Sequence, residues 1–207
     1  MWIPGRFIAD HIPGGQHLYI ALYPTAQGPV KLDVEYYRAS AFVPAWSVRR
    51  RRLLLDRTGA LARVVAQSAN EEVPRPTAER LRDLDHKFWT WCWYGFGKIV
   101  RGELWEAVDG LHVMRTRALV PLIAWAAGAP TEGYRRLEQK ADARLLARLG
   151  RTAAPPARPA LYGALQEAMA LYAALRAPLL AELGIQVDGE AERVLRDAVA
   201  EHWAART

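Results

Sequence analysis

The chain has 207 residues, a formal net charge of +6 and an apolar content typical of a folded protein. That length is enough for one full domain and a smaller one, and the composition excludes a disordered or low-complexity chain. Arginine supplies most of the positive excess, which favours anionic partners such as nucleotides or nucleic acid. An Arg-rich surface interspersed with Glu and Asp gives the same balance, so charge alone identifies no ligand.

Cysteine content and hydropathy indicate a cytoplasmic protein. Cys92 is the only cysteine, so an intrachain disulfide is excluded. Its aromatic surroundings are typical of a buried structural thiol, and a nucleophile is the alternative. The N-terminus lacks the pattern of a signal peptide, and the longest apolar-leaning stretch, residues 118–130, is too short to span a bilayer. We therefore expect no membrane partner.

The first part of the chain is predicted to form β-structure. Residues 17–24 and 30–37 are strand candidates rich in Tyr, Val and Leu, and segment 25–29 carries the Gly and Pro of a hairpin connection. A third short strand is predicted at 53–55. Because so small a sheet is marginal without another layer, residues 1–72 are interpreted as a partial β domain.

The rest of the chain is predicted to be helical. A polar linker with two prolines occupies residues 70–76, and Thr77 is a plausible N-cap for the helix that follows. The predicted helices cover residues 77–100, 102–127, 134–149 and 159–183, with a last one from Asp188 to about Ala204. Gly184 is expected to close the fourth, which Pro178 either kinks or ends early. We therefore predict an α+β protein: a small partial sheet followed by a four- to five-helix bundle over 77–207.

Asp33 is the first candidate for chemistry. Alternation along 30–37 places Leu32, Val34 and Tyr36 on one face of the strand and Asp33 on the other, with Lys31, Glu35 and Tyr37. Asp33 is thus an acid flanked in sequence by apolar residues. Such a carboxylate suits metal-dependent phosphoryl or nucleotidyl transfer, where it holds Mg²⁺ or deprotonates the attacking hydroxyl. The alternative is an ordinary amphipathic edge strand whose acidic residues are merely solvated.

The second candidate is the aromatic run at 88–103, FWTWCWYGFGKIVRGE. An aromatic stripe at helical spacing is usually bundle core. The functional interpretation is a stacking surface for a base or sugar that includes Trp93. Lys98 and Arg101 lie one turn apart and would both reach a phosphate near that surface.

These segments together resemble a known family. The stretch FWTWCWYGFGKIVRGELWEA with MRTRALVPLIAWAAG after it is similar to the helical domain of bacterial nucleotidyltransferases, in particular the streptomycin-type aminoglycoside adenylyltransferases. GPVKLDVEYYR resembles the strand that bears their third acidic residue. The order of the two segments also matches. The resemblance implies transfer of a nucleoside monophosphate from ATP or another NTP, with Mg²⁺, to a hydroxyl of a small acceptor such as an aminoglycoside.

Residue roles are implied only where the motifs match. Asp33 corresponds to the third carboxylate, a metal ligand and the base for the acceptor hydroxyl, and Lys98 to the lysine that approaches the phosphates. Arg101 and Glu103 match a helix-end ion pair. Some members carry a general-base Glu one turn before the lysine, where this chain has Tyr94.

The chain departs from the family at its start. The family's Gly-Ser and paired Asp-x-Asp precede the third-carboxylate strand, but no Asp or Glu occurs between Asp10 and Asp33 here, and the pair Gly14-Gly15 has no serine after it. One carboxylate cannot assemble a two-metal site. We therefore expect a truncated or degenerate relative that is catalytically incomplete as written, and Mg²⁺ and nucleotide need not bind.

Two other classes of function stay open. One is a non-catalytic interaction module, in which the open sheet edge is covered by another chain or by a second copy, giving a homo-oligomer. The other is an RNA-cleaving bundle resembling HEPN domains, for which Arg196 with His202, or Arg80 with His86, has the spacing. The basic run at 49–52 is interpreted as a solvated connection, and we expect no specific nucleic-acid partner.

Overall fold

The computed structural model describes residues 6–12, 16–187 and 189–205, with side chains from Ile20 onward. The chain forms two compact units, Met1–Glu72 and Val73–Thr207. The fold is α+β, with a small antiparallel sheet in the first unit and helices in the second. We call the second unit the helical unit.

Within the described residues the first unit contains a sheet of three antiparallel strands in the order β1-β2-β3. They are β1 (Arg6–Ile12), β2 (Gln16–Tyr23) and β3 (Val30–Tyr36). The two predicted strands and their hairpin are confirmed, whereas β1 was not predicted. Thr25 and Gly28 close the turn with two backbone hydrogen bonds of 3.1 and 3.2 Å, and Gly28 supplies the positive φ of 112° that this turn needs.

The predicted strand at 53–55 is wrong. This segment has no strand partner among the described residues, and the leucines in it are exposed. Asp56 explains the difference, because its carboxylate accepts hydrogen bonds from the amides of Thr58, Gly59 and Ala62 and turns the chain into a helix. That helix, α1 (Ala60–Gln67), was not predicted.

The helical unit begins where the sequence indicated. Thr77 is the N-cap of α2 (Ala78–Arg101), and its side chain accepts a hydrogen bond of 3.1 Å from the Arg80 amide. The second predicted helix is also confirmed, as α3 (Leu104–Met114), a π-helical turn (Arg115–Leu119) and α4 (Val120–Ala126) in direct succession. The remaining described helices are α5 (Ala143–Arg151), α6 (Arg158–Glu182) and α7 (Gly189–Ala204).

The predicted helix at 134–149 is wrong in its first half. Turns and a short 3-10 segment (Leu137–Gln139) precede α5, and Arg136 has a left-handed φ of 52°. Asp142 starts α5 instead, since its side chain accepts from the Leu145 amide at 2.7 Å.

The end of α6 agrees with the sequence in one respect. Pro178 lies inside α6 and does not end it early. Gly184, with φ of 60°, follows the last helical turn and terminates it as expected. Asp188, the predicted cap of the last helix, lies outside the described residues.

The core of the helical unit forms where α2, the segment from α3 to α4, and α6 pack together. Phe88 of α2 stacks on Tyr172 of α6 with ring centroids 3.7 Å apart, and both side chains are buried. The aromatic run is thus divided, because Phe88, Trp89 and Phe96 face the core whereas Trp93 is half-exposed. None of the described helices is both long enough and apolar enough to traverse a lipid bilayer.

Candidate functional site

An ion-pair cluster occupies the C-terminal end of α2. Lys98 Nζ lies 2.6 Å from Glu103 Oε2 and 2.9 Å from Glu106 Oε1, and 4.8 Å from the centre of the Tyr94 ring. Arg101 Nε donates to Glu103. The helix-end ion pair that the resemblance implied between Arg101 and Glu103 is therefore present.

The cluster is electrostatically balanced. Hydrogen bonding to Glu103, and then to Glu106, raises the pKa of the Lys98 ammonium above its ordinary value. Hydrogen bonds from Arg101 and then Lys98 lower the pKa of Glu103 to about 2. Two cations thus face two carboxylates, and a phosphate group would have to displace a carboxylate to reach Lys98.

Asp33 lies on β3 in the first unit. Its side chain is 42% exposed and pairs with Lys31, whose Nζ is 2.8 Å from Asp33 Oδ2. Across the sheet it stands opposite Ile20. Over the part of the chain that the structure describes, no group of three or more His, Cys, Asp or Glu side chains is arranged to hold a metal ion.

Trp93 lies apart from the Lys98 cluster, at a cavity of about 620 Å³ between α2 and α7. From α2 the cavity is lined by Arg82, Asp85, His86, Trp89, Thr90 and Trp93. From α7 and the segment before it the lining residues are Gln186, Val187, Ala191 and Leu195. The sequence predicted that Lys98 and Arg101 would serve the same ligand as Trp93, but the basic residues that share its cavity are Arg82 and His86.

A buried ion pair forms the inner wall of this cavity. Asp85 Oδ1 accepts hydrogen bonds of 3.2 Å from both Trp89 Nε1 and the Tyr172 hydroxyl, and it also pairs with the Arg176 guanidinium. Arg176 extends to Glu192 of α7 as well. Helices α2, α6 and α7 are thereby joined through one guanidinium.

Sequence reasoning missed Asp85, although a signal for it was present. Asp85 follows Leu81 by four residues and precedes Phe88 by three, so it interrupts the apolar stripe of α2. An acid on a buried helix face requires a partner, because an unpaired buried charge is costly. That partner, Arg176, lies 91 residues further along the chain, which local spacing does not reveal.

The fold is similar to that of a solved structure, an aminoglycoside 6-adenyltransferase from Bacillus subtilis. The two superpose with a TM-score of 0.57, covering 96% of this chain and 78% of that one at 16% sequence identity. The two proteins share a fold. No family model matches the sequence, and no curated protein matches it. The resemblance is thus confirmed for the fold, while the missing Gly-Ser and Asp-x-Asp motif stays a prediction.

The Arg and His pairs that suggested an RNA-cleaving bundle have other partners. Arg196 donates to Glu192 at 2.8 Å and to the Met169 carbonyl at 2.9 Å, and His202 Nδ1 lies 2.8 Å from the Ala198 carbonyl. Arg80 lies over the Trp125 ring, whereas His86 lines the cavity. These contacts favour structural roles for both arginines.

Two further sequence candidates also have structural roles. Cys92 is fully buried, and burial raises the pKa of its thiol well above the ordinary value, which disfavours a nucleophile. In the basic run, Arg49 donates to the Glu71 carbonyl at 3.0 Å and lies over the Trp46 ring. Arg51 donates to the Ser47 carbonyl.

Proposed function

We propose that this chain is a nucleotidyltransferase-like protein. Its parent reaction is the transfer of a nucleoside monophosphate from an NTP to a hydroxyl of a small acceptor such as an aminoglycoside. The observation that carries the proposal is the likeness to an aminoglycoside 6-adenyltransferase over 96% of the chain. Because fold alone does not fix chemistry, the site residues below rest on the motif resemblance.

The parent reaction assigns Asp33 and Lys98 distinct tasks. The acceptor oxygen forms a bond to the α-phosphorus of the NTP while the bond from that phosphorus to the bridging oxygen breaks and pyrophosphate leaves. Asp33 takes the proton of the acceptor hydroxyl, the general-base role that an ionised carboxylate can fill. Lys98 lies near the phosphates, having exchanged a carboxylate partner for a phosphate oxygen.

The described residues do not fit the paired Mg²⁺ ions of this chemistry. Asp33 is neutralised by Lys31, and no cluster of three ligand side chains surrounds it within the described ranges. No metal ion is therefore assigned a role in the reaction, and we propose a nucleotide-binding protein with an incomplete set of catalytic carboxylates.

Calorimetric titration with ATP, with and without Mg²⁺, tests the proposal. We expect binding that Lys98→Met weakens by about tenfold, the effect of losing one charge-assisted hydrogen bond. Lys87→Met is the matched control, because Lys87 on the same helix pairs only with the exposed Asp83 among the described residues. Absence of ATP binding at millimolar concentration would overturn the proposal.

A transfer assay with labelled ATP and streptomycin tests the chemistry separately. If transfer is detected, Asp33→Asn should abolish it and leave ATP affinity unchanged, since the base acts on the acceptor. Glu35→Gln, two residues along the same strand, should keep the transfer. Equal transfer by Asp33→Asn and the unaltered protein would remove Asp33 from the reaction.

A second candidate is self-association through the sheet. β3 lies at an edge of the described sheet, and it exposes Val30 and Leu32 to about half of their possible area. We propose that a second copy pairs along this strand. Sedimentation velocity should then show a dimer that Val30→Pro dissociates, whereas a monomer at high concentration contradicts it.

A further inference from the structure

The likeness in fold assigns no ligand to the cavity between α2 and α7. Its volume of about 620 Å³ is typical of small-molecule sites, and it combines apolar walls with a few polar groups. We propose that it binds a flat heteroaromatic ring that carries an anionic group. This inference is independent of the transfer reaction proposed above, because Asp33 and Lys98 do not line the cavity.

Trp93 supplies the surface for the ring. Its side chain is 48% exposed, and the described rings around it do not stack on it: His202 meets it edge-on at 6.1 Å and Phe96 is tilted at 6.0 Å. Trp89, in contrast, is covered by the guanidinium groups of Arg176 and Arg196 at 5.2 and 5.4 Å. A planar ligand therefore stacks on Trp93, with Val187 and Leu195 as apolar neighbours.

Asp85 supplies an acceptor for a ring donor. The carboxylate is nine-tenths buried, and all three of its described hydrogen bonds end on Oδ1. Among the described residues Oδ2 receives none. A carboxylate oxygen has capacity for further donors, and a ring N–H or amino group in the cavity would satisfy it.

The balance of charge around the cavity favours an anionic ligand. Asp85 and Glu192 are offset by Arg176 and Arg196, which bond to them directly. Arg82 is the additional cation, and within the described part of the chain its guanidinium has neither an ion pair nor a hydrogen bond.

His86 lies one turn further along α2 and lines the same cavity, so both side chains are available to one anionic group. Its ring has no hydrogen-bond partner among the described residues. The two basic side chains therefore stand where the ligand's anionic end would be bound.

Three probes without Mg²⁺ test this inference: AMP as the anionic ring, adenosine as the neutral ring and tryptamine as a cationic ring. Isothermal titration calorimetry gives the affinities, and the indole N–H signal of Trp93 in a ¹⁵N-edited NMR spectrum locates the site. We expect AMP to shift that signal and to bind about tenfold more tightly than adenosine, the effect of a charge-assisted contact. Tighter binding of tryptamine, or an unmoved Trp93 signal at millimolar AMP, would overturn the inference.

Matched variants separate the cavity from other binding. Trp93→Leu and Arg82→Gln should each weaken AMP binding by about tenfold or more. Trp105→Leu, at the highly exposed tryptophan of α3, and Lys87→Gln should not. Unchanged AMP affinity in Trp93→Leu contradicts the site.

The Lys98→Met variant distinguishes the two proposals. AMP binding that persists in this variant, together with the Trp93 shift, supports the cavity even if ATP binding through Lys98 is lost. ATP binding that depends on Lys98 but leaves the Trp93 signal in place supports the transferase proposal alone and rejects the cavity.

Discussion

Asp85 and Arg176 form the most deeply buried ion pair of the described residues, with side chains 10% and 8% exposed. Removing one member of such a pair leaves a desolvated charge without its partner, which costs more than the intact pair contributes. Arg176 also bonds Glu192, so part of its charge would stay compensated. The loss of stability on removing Asp85 should therefore lie at the lower end of the range that is usual for buried ion pairs.

We expect Asp85→Ala to lower the free energy of unfolding by about 3 kcal/mol. Asp83→Ala is the matched control two residues away, because Asp83 forms an exposed ion pair with Lys87, and its loss should cost less than about 1 kcal/mol. Urea denaturation followed by circular dichroism measures both. Similar midpoints for the two variants would contradict the structural role of Asp85.

Glu103 makes the stability of the protein depend on pH. Its pKa is lowered to about 2 by Arg101 and then by Lys98. A carboxyl group whose pKa is lower in the folded than in the unfolded state stabilises the fold. This stabilisation is complete above the unfolded-state pKa and is lost as the pH falls through the folded-state pKa. We expect the denaturation midpoint of Glu103→Gln to lie below that of the unaltered protein at neutral pH. The two should converge as the pH falls from about 4.5 toward about 2.

Glu201→Gln is the control for this experiment. Glu201 is exposed on α7 and has no ion pair among the described residues, so its substitution should leave the midpoint at neutral pH unchanged. A constant difference between Glu103→Gln and the unaltered protein from pH 7 to 2 would show that its effect is not electrostatic.

For some single residues the sequence predicts the position and the partner, and for others it does not. The spacing of Lys98 and Arg101 correctly placed both near the end of α2, and the motif implied the pair with Glu103. Lys98 also pairs with Glu106, and Asp85 pairs with Arg176. In both pairs the two residues lie on different helices. Helical periodicity describes one helix at a time, so those partners could not be found from it.

Two glycines on neighbouring elements should respond to substitution with opposite signs. Gly102 follows α2 with φ of 80°, and a Cβ added there would lie 2.9 Å from Arg158 Nη2. Gly110 lies inside α3, and an added Cβ there meets no atom within 4 Å. Left-handed backbone is costly for a residue with a Cβ, whereas Ala stabilises a helix interior relative to Gly.

We expect Gly102→Ala to destabilise the protein by about 1–2 kcal/mol. Gly110→Ala should stabilise it by about 0.5–1 kcal/mol. Thermal denaturation of the two variants beside the unaltered protein measures both signs in one experiment. A shift in the same direction for both would contradict the described backbone at one of these glycines.

At the level of elements, strong local signals were reliable and weak ones were not. The Thr77 cap, the hairpin glycine and Gly184 marked real boundaries because each satisfies or terminates a defined backbone pattern. The sequence between 134 and 142 has helical periodicity, but the cap at Asp142 determines where α5 begins. Helix α1 escaped detection since the turn at Asp56 that starts it was interpreted as the end of a strand.

At the scale of the whole molecule, apolar burial is unequal between the two units. The main hydrophobic cluster consists of residues from Leu81 to Val199, all in the helical unit. Among the described side chains of the first unit, only Ala21 and Val48 are buried apolar residues. Since burial of apolar surface drives folding, the helical unit holds most of the stability.

We expect residues 73–207, produced alone, to fold and unfold cooperatively. Residues 1–72 alone should show no cooperative transition, because a three-stranded sheet is marginal by itself and the described side chains of this unit include only two buried apolar residues. Far-UV circular dichroism during urea titration distinguishes the two outcomes. A broad, non-cooperative transition of the 73–207 fragment would mean that its core depends on the rest of the chain.

The fold class could be predicted because strand alternation and helical periodicity are local patterns, and the likeness to a solved structure at 16% identity agrees with the family resemblance. The candidate site was predicted only in part. Trp93 was identified from the aromatic run, but the opposite wall of its cavity, which includes Ala191 and Leu195, comes from a helix about 100 residues later in the chain. Packing of that kind is set by the tertiary arrangement, which composition and periodicity do not contain.

Helix α7 has few buried residues, and this affects access to the cavity. Val199 is the only fully buried residue among the described side chains of α7, whereas α6 buries eleven. Segments with few buried contacts open locally without global unfolding. Backbone amide protons of α7 should therefore exchange with solvent deuterium faster than those of α6, and mass spectrometry of the labelled peptides would show it; equal protection would argue against such opening. Each such excursion removes one wall of the cavity, so local opening of α7 would widen the access to it.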